Sequence, residues 1–196
     1  MTTHDYYNRE AEDVRKEFTE HVATIQHEAD ATKPYFAKIV WAKPGTGIMS
    51  CTYILNHRWL CAMGDIGEAI YEWSRPVSPS FLAWCDWSYM FGKCQASPAG
   101  RKFQQWDNQF ADCWMRERLA EFEEGEVPDW ITRITNAGGD KCEFENAARE
   151  CYDETGDAEE VGDIHDAGMV PGRQYIAQFE GLQMALKQLG FGKVPQ

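Results

Sequence analysis

Hydrophobic residues recur at spacings of three and four between residues 4 and 31, and charged residues fill the positions between them. This periodicity predicts an amphipathic helix with one apolar face. Pro34 disfavours helical geometry in the residue before it, so the helix is expected to end at the "TKPYF" segment. The predicted apolar face contains Tyr7, Ala11, Val14, Phe18, His21 or Val22, and Ile25.

The pattern changes to short runs of branched and aromatic residues between residues 36 and 74. These runs are "FAKIVWAK", "GIMSCTYIL", "WLCAMG" and "EAIYEWS", and the turn signals "KPGTG", "NHR" and "GDIG" separate them. Connections this short suit antiparallel neighbours, because parallel strands need crossovers of about a dozen residues or more. The sequence therefore predicts a three- or four-stranded antiparallel meander.

Aromatic residues are frequent in the helices predicted after the strands. Ser78 and Pro79 suit the N-cap and first position of a helix over "SPSFLAWCDWSYMFGKC", and a second helix is predicted over residues 101–124. Shorter helices are predicted at "VPDWITRITNA" and "CEFENAARECYDE", with a "GG" break between them. Most of these aromatic side chains are expected to pack in the core.

A final helix is predicted from Pro171 to Leu189, where hydrophobic residues are spaced by four and three positions. The whole pattern indicates an α+β fold, in which several aromatic-rich helices pack on the meander. A chain of 196 residues with 43% hydrophobic composition is expected to form a single domain over residues 1–196. The hydrophobic positions of the last helix are Tyr175, Phe179, Leu182, Leu186 and Leu189.

Two features of the sequence favour a cytoplasmic protein that does not bind membranes. No run approaches the roughly 18 to 20 apolar residues of a spanning helix, and the N-terminal segment lacks the basic and apolar regions of an export signal. The seven cysteines include no pair with Cys-x-x-Cys spacing. They are therefore expected to be free thiols in a reducing compartment.

The negative charge is concentrated in one region, residues 121–166. The chain has a net charge of −13, and this region alone holds sixteen acidic and three basic residues. The remaining residues are neutral in sum, with sixteen of each sign. The region is predicted to be partly helical, and its expected partner-binding residues are Glu121, Glu123, Glu124, Glu126, Asp153, Glu154, Asp157, Glu159, Glu160, Asp163 and Asp166.

Two interpretations of this acidic region stay open. It is either a solvated acidic face or a surface whose carboxylates take the place of phosphates in a basic groove of another protein. Direct binding of DNA or RNA is not expected, because the region has no clustered lysine or arginine residues to neutralise phosphates.

Candidate catalytic residues are few. The adjacent His165 and Asp166 resemble the ligand pair of metal-dependent phosphohydrolases, but no later aspartate completes the ligand set. An EF-hand loop fails because Ile164 occupies the position of the bidentate glutamate. His57 and Cys61 are candidates for a base and a nucleophile, yet the apolar neighbours of Cys61 favour a buried thiol. We therefore expect no catalytic residue, metal site or cofactor.

The order of "GDIGEAIYEWS", "FLAWCDWSYMFGKC" and "ASPAGR" over residues 54–101 resembles small proteins that phages and prophages encode and for which no activity is assigned. The resemblance covers about a quarter of the chain. It implies expression in a bacterial cytoplasm. It implies this setting and not a mechanism. Small phage proteins in such a setting often bind host machinery, as inhibitors of restriction or CRISPR systems do, some of which present acidic surfaces, but the acidic region lies outside the resembling residues.

These observations predict a non-enzymatic, phage-encoded binding protein. Through its acidic surface it would imitate DNA and inhibit a host nucleic-acid-binding defence complex, of the anti-CRISPR or anti-restriction type. The expected partner is a host protein with a basic surface. One alternative is a metal-dependent hydrolase or nucleotide-modifying enzyme that uses His57 or His165 with carboxylates. The other is a structural or assembly factor that forms a homodimer through Leu182 and Leu186 of the last helix.

Overall fold

Antiparallel strands form the main sheet of the protein, in a computed structural model that describes residues 2–27, 35–96, 104–122, 127–136 and 138–192. Within these residues the sheet has six strands, and each one pairs with its neighbours in the sequence. The α+β class and the antiparallel meander are confirmed, but three or four strands were predicted. The strands are β1 (Val22–His27), β2 (Phe36–Ala42), β3 (Cys51–Asn56), β4 (Trp59–Gly64), β5 (Ala69–Glu72) and β6 (Cys94–Ala96).

The first helix is shorter than predicted, and this accounts for one of the additional strands. Helix α1 (Thr3–Glu17) ends well before residue 31, and β1 begins five residues later. The strand sequence "VATIQH" contains three β-branched residues, which favour a pleated surface over a helix. Pairing with β2 therefore prevails over the hydrophobic spacing that predicted a longer helix.

The helix predicted from Ser78 to Cys94 is broken in the middle. Ser78 is the N-cap of α2 (Pro79–Leu82), as predicted. Asp86 then caps a second short helix, α3 (Trp87–Phe91), and accepts a hydrogen bond from the backbone N–H of Tyr89 at 2.8 Å. Strand β6 follows at once, because its backbone pairs with β5.

The helix predicted over residues 101–124 is also shorter in the structure. Residues 104–106 form strand β7 (Gln104–Trp106), and α4 (Asn108–Leu119) begins after Asp107. Residues 101–103, 123 and 124 lie outside the described residues. The other predicted helices are confirmed. The remaining elements are α5 (Asp129–Thr135), α6 (Lys141–Thr155), α7 (Ala158–Asp166), β8 (Met169–Pro171) and α8 (Arg173–Gln188).

The chain divides into two compact units. Unit 1 consists of residues 1–8 and 104–171, and unit 2 consists of residues 9–103 and 172–196. The single domain expected over residues 1–196 remains a prediction, because compact packing and independent folding are different properties. In the described part of the chain, no helix is both long and apolar enough to cross a membrane.

Unit 2 is built on the inner face of the six-stranded sheet. Alternate residues of β2, β3 and β4 are buried there, and α8 packs across these side chains. Leu182 and Leu186 of α8 are 1% and 0% exposed. They therefore pack within their own unit, and they do not provide the exposed dimer interface that was one alternative for this helix.

Unit 1 has a separate core between helices α4, α5, α6 and α7. Phe144 is fully buried there, and its ring lies edge-on to Trp106 with 5.3 Å between the ring centroids. The indole N–H of Trp106 donates to the carbonyl oxygen of Gly139 at 2.9 Å. This core fixes the helices that carry most of the acidic region. Its buried residues are Ala111, Met115, Trp130, Ile131, Ile134, Phe144, Ala147, Ala148, Cys151, Ile164 and Ala167.

Candidate functional site

The acidic stretch over residues 151–168 contains the end of α6, a tight turn and α7. Gly156 ends α6 with a φ of 67°, a left-handed conformation that glycine adopts easily. The carboxylate of Asp157 then caps α7, because it accepts hydrogen bonds from the backbone N–H groups of Glu159 at 2.9 Å and Glu160 at 3.1 Å. The stretch is therefore a helical hairpin and not an extended loop. This agrees with the prediction that the region is partly helical.

Replacing Asp157 by alanine is expected to lower the free energy of unfolding of unit 1 by about 1 kcal/mol, because two backbone N–H groups lose their acceptor. Urea unfolding followed by circular dichroism measures the change. Asp163→Ala is the matched control, since the Asp163 side chain is exposed and caps no helix. Equal losses of stability in the two variants would contradict the capping role.

Apolar residues hold both helices of the hairpin to the core of unit 1. Phe144, Ala147 and Cys151 of α6 are fully buried, as is Ile164 of α7. Residues on the remaining faces of the two helices must therefore carry the polar groups, and most of these groups are carboxylates.

Six exposed carboxylates lie at the turn of the hairpin and along α7. Glu159, Asp163 and Asp166 are spaced by four and three positions, so they share one face of α7 that differs from the face of the buried Ile164. None of the six makes an ion pair within the described residues. We call this set the acidic surface; its residues are Asp153, Glu154, Asp157, Glu159, Asp163 and Asp166.

Two of the predicted partner-binding residues are instead held in ion pairs within unit 1. Glu121 and Glu160 both form ion pairs with Arg118, and the Glu160 side chain is only 17% exposed. Partial burial lowers the pKa of Arg118, but its hydrogen bonds to Glu160 and Glu121 outweigh this effect and raise the pKa. These two carboxylates therefore contribute less charge to the surface than the sequence predicted.

Other acids of the region are neutralised in the same way. Arg133 forms ion pairs with Glu143 and Glu150, and Lys141 forms one with Glu145. The hydrogen bond that the Arg133 guanidinium donates to the Glu150 carboxylate raises the pKa of Arg133. Among the described residues of the region, the acidic surface therefore holds most of the carboxylates without an ion pair; Asp129 and Asp140 are the others. Three further predicted residues, Glu123, Glu124 and Glu126, lie outside the described residues.

Two signals in the sequence could have identified part of this arrangement. Asp157 and Glu160 have the spacing of a helix N-terminus, with an N-cap acid followed three positions later by a glutamate. Arg118 and Glu121 have the spacing of neighbours on a helix. The pairing of Arg118 with Glu160 spans 42 positions and has no local signal.

A groove of about 400 Å³ lies between α6 and α7, on a different face of α7 from the acidic surface. Arg149, Tyr152 and His165 give it polar groups, and Ala148 and Val161 give it an apolar floor. Within the described residues Arg149 and His165 form no ion pair or hydrogen bond. Since Arg149 is positive, the groove does not extend the negative potential of the acidic surface.

The residues considered as candidates for catalysis form neither a metal-binding cluster nor a hydrogen-bonded pair of His57 and Cys61 in the described part of the chain. No group of three or more histidine, cysteine or acidic side chains within the described residues is placed to hold a metal ion. His57 lies edge-on to Tyr35 and makes no hydrogen bond with Cys61 in the described part of the chain. Burial raises the pKa of Cys51 and of Cys85 to about 11, which keeps both thiols protonated and poorly nucleophilic.

Comparisons of the chain with protein-family models, with curated proteins and with solved structures give no match. The fold and the site together define an α+β protein with an antiparallel meander in one unit and an acidic helical hairpin in the other.

Proposed function

We propose that this chain is a non-enzymatic binding protein whose acidic surface binds the basic, nucleic-acid-binding surface of another protein. The observation that carries the proposal is the set of six exposed carboxylates on one helical hairpin that form no ion pair with any residue the structure describes. A groove that neutralises phosphates attracts such carboxylates by the same long-range electrostatics.

The distribution of charge between the units supports the proposal. The sequence of unit 1 holds twenty acidic and five basic residues, whereas that of unit 2 holds twelve acidic and fourteen basic residues. A protein that needed charge only for solubility would be expected to carry it on both units. The concentration of one sign in unit 1 favours the attraction of a cationic partner.

The acidic face of α7 also carries charges that do not help the helix to form. Glu159 and Asp163 are like charges four positions apart, an arrangement that destabilises a helix by about 0.2–0.5 kcal/mol. Asp166 lies in the last turn, where the helix dipole favours a positive charge. Glu159 lies in the first turn, where the helix dipole favours its negative charge, but Asp163 and Asp166 oppose local stability. A role in binding accounts for Asp163 and Asp166 better than a role in folding.

The finer part of the proposal concerns the identity of the partner. The resemblance of residues 54–101 to phage-encoded proteins favours a host defence complex that binds nucleic acid. In this complex the acidic surface would occupy the site of the nucleic acid and so inhibit the complex. Direct binding of nucleic acid by the acidic surface is not part of the proposal, because carboxylates repel phosphates.

The test uses the full chain as bait in a bacterial lysate, with capture at about 50 mM salt. Captured proteins are identified by mass spectrometry and assayed for binding to a labelled DNA duplex. We expect proteins that bind the duplex, that are released by excess duplex, and that dissociate at about 200 mM salt. A triple variant, Glu159→Lys with Asp163→Lys and Asp166→Lys, should weaken capture by more than about tenfold, since it reverses the attracting charge.

The matched control reverses three exposed acids of unit 2, Glu12→Lys, Asp13→Lys and Glu20→Lys, and so changes the net charge equally. It should retain capture. The proposal fails if the triple variant still captures the same proteins, if the control loses them equally, or if capture is indifferent to salt and to excess duplex.

A further inference from the structure

The six-stranded sheet has an outer face, which is the face opposite α8. This outer face is apolar, whereas the solvated face of an antiparallel sheet is usually polar. The strand register places Lys38, Ile54, Cys61 and Ile70 side by side in one row across β2, β3, β4 and β5. All four alternate with buried neighbours, so they point away from the inner face. Three adjacent apolar side chains thus cross the centre of this outer face.

The outer face remains open in the described part of the chain. Met63 and Ile70 are 40% and 39% exposed. Together with Cys61, Glu68 and Ala96 they line a groove of about 420 Å³. Contiguous exposed apolar surface is typical of interaction sites and ligand-binding grooves.

Charged residues lie at the two ends of the apolar row. Lys38 is at the β2 end, and Glu68 and Glu72 flank Ile70 at the β5 end. Within the described residues Lys38 and Glu68 form no ion pair, whereas Glu72 pairs with Arg58 at 3.1 Å. Within the described residues the face therefore carries one unpaired positive charge at the β2 end, Lys38, and one unpaired negative charge at the β5 end, Glu68.

We propose that a second copy of this chain covers the outer face, in a two-fold symmetric dimer whose axis runs parallel to the strands between β3 and β4. This axis places β2 of each copy over β5 of the other, as in two aligned sheets packed face to face. Lys38 then lies over Ile70 of the second copy, between its Glu68 and Glu72. Ile54 lies over Cys61 of the second copy and completes the apolar centre.

The charges at the two ends of the row also favour this two-fold axis over a two-fold axis that runs across the strands. A two-fold axis that runs across the strands, along the row itself, would place Lys38 over Lys38 of the second copy. Two like charges facing each other oppose association, whereas the axis between β3 and β4 brings opposite charges together twice. Charge complementarity therefore supports a second copy as the occupant and fixes its orientation.

Sedimentation equilibrium of the full chain over a range of concentrations tests the inference. The wild-type chain should reach twice the mass of one chain. Lys38→Glu should raise the dimer dissociation constant by at least about tenfold, because each new carboxylate faces the unpaired Glu68 of the other copy. Adding Glu68→Lys to this variant should restore part of the lost affinity, an effect that a purely structural role of Lys38 would not produce.

Lys187→Glu is the matched control, since it makes the same charge change at an exposed position of α8, the helix on the opposite face. It should leave the dimer intact, and circular dichroism should show all variants folded. A monomer at every concentration would overturn the inference and leave the face to another protein or to another part of the chain. A dimer indifferent to Lys38→Glu would also overturn it. The inference does not rest on the proposed function, because none of these substitutions lies in the acidic surface.

Discussion

Replacing Phe144 by alanine is expected to lower the free energy of unfolding of unit 1 by about 3–5 kcal/mol. The ring is fully buried in α6, and its centroid lies 5.3 Å from that of Trp106 and 6.2 Å from that of Trp114. Truncation removes apolar contacts and leaves a cavity that the surrounding helices cannot close completely. Urea unfolding, combined with hydrogen exchange of the α6 and α7 amides, measures the loss.

Tyr152→Ala is the control for this prediction, because it truncates an aromatic residue of the same helix that is 56% exposed. It should change the free energy of unfolding by no more than about 0.5 kcal/mol. Phe144→Leu should cost less than Phe144→Ala, since it fills part of the cavity. If Phe144→Ala and Tyr152→Ala lowered stability equally, Phe144 would not be the centre of this core.

Much of the fold follows from local patterns in the sequence. The four predicted runs between residues 36 and 74 became β2, β3, β4 and β5, because branched and aromatic residues alternate there and short turns join them. The final helix extends to within one residue of its predicted end, and the glycines at 138 and 139 break the chain as expected. These elements are determined by neighbours in the sequence.

The errors arose where a tertiary contact prevailed over a local pattern. Strand β1 continued the hydrophobic spacing of α1, and its pairing with β2, together with its β-branched residues, makes it a strand. Strand β6 was not predicted, since the predicted helix ended at Cys94, the first residue of the strand, and its pairing with β5 decides its structure. Contacts of this kind join residues that are far apart or weakly patterned, so no window of the sequence contains them.

The sequence located the acidic region, but it did not show which of the carboxylates remain free of ion pairs. Counting charges located the region, because charge is a property of composition. The separation of free from neutralised carboxylates depends on Arg118 and Arg133, whose partners include Glu160 and Glu150 on other helices. The packing of the helices of unit 1 decides which charges remain available, and this packing is not visible in a charge count.

The second large loss of stability is expected at Gly181, where α8 lies close to the sheet. A Cβ at Gly181 would lie 2.8 Å from the hydroxyl oxygen of Tyr53 and 3.0 Å from Cδ1 of Trp41, and both of these side chains are fully buried. Tyr53 is further held by its hydrogen bond to the carbonyl oxygen of Gln178 at 2.7 Å. Gly181→Val is therefore expected to lower the free energy of unfolding of unit 2 by about 3 kcal/mol.

Gly181→Ala distinguishes the effect of packing from the effect of helix propensity, because the two change stability in opposite directions. In an exposed helix, replacing glycine by alanine stabilises by about 1 kcal/mol. This gain is expected at Gly162 of α7, where a Cβ would have no atom within 4 Å. At Gly181 the contact with Tyr53 and Trp41 should outweigh the gain, so Gly181→Ala should lower the thermal midpoint while Gly162→Ala raises it. A rise in both variants would mean that α8 can move away from the sheet at little cost, and that glycine is not what sets their separation.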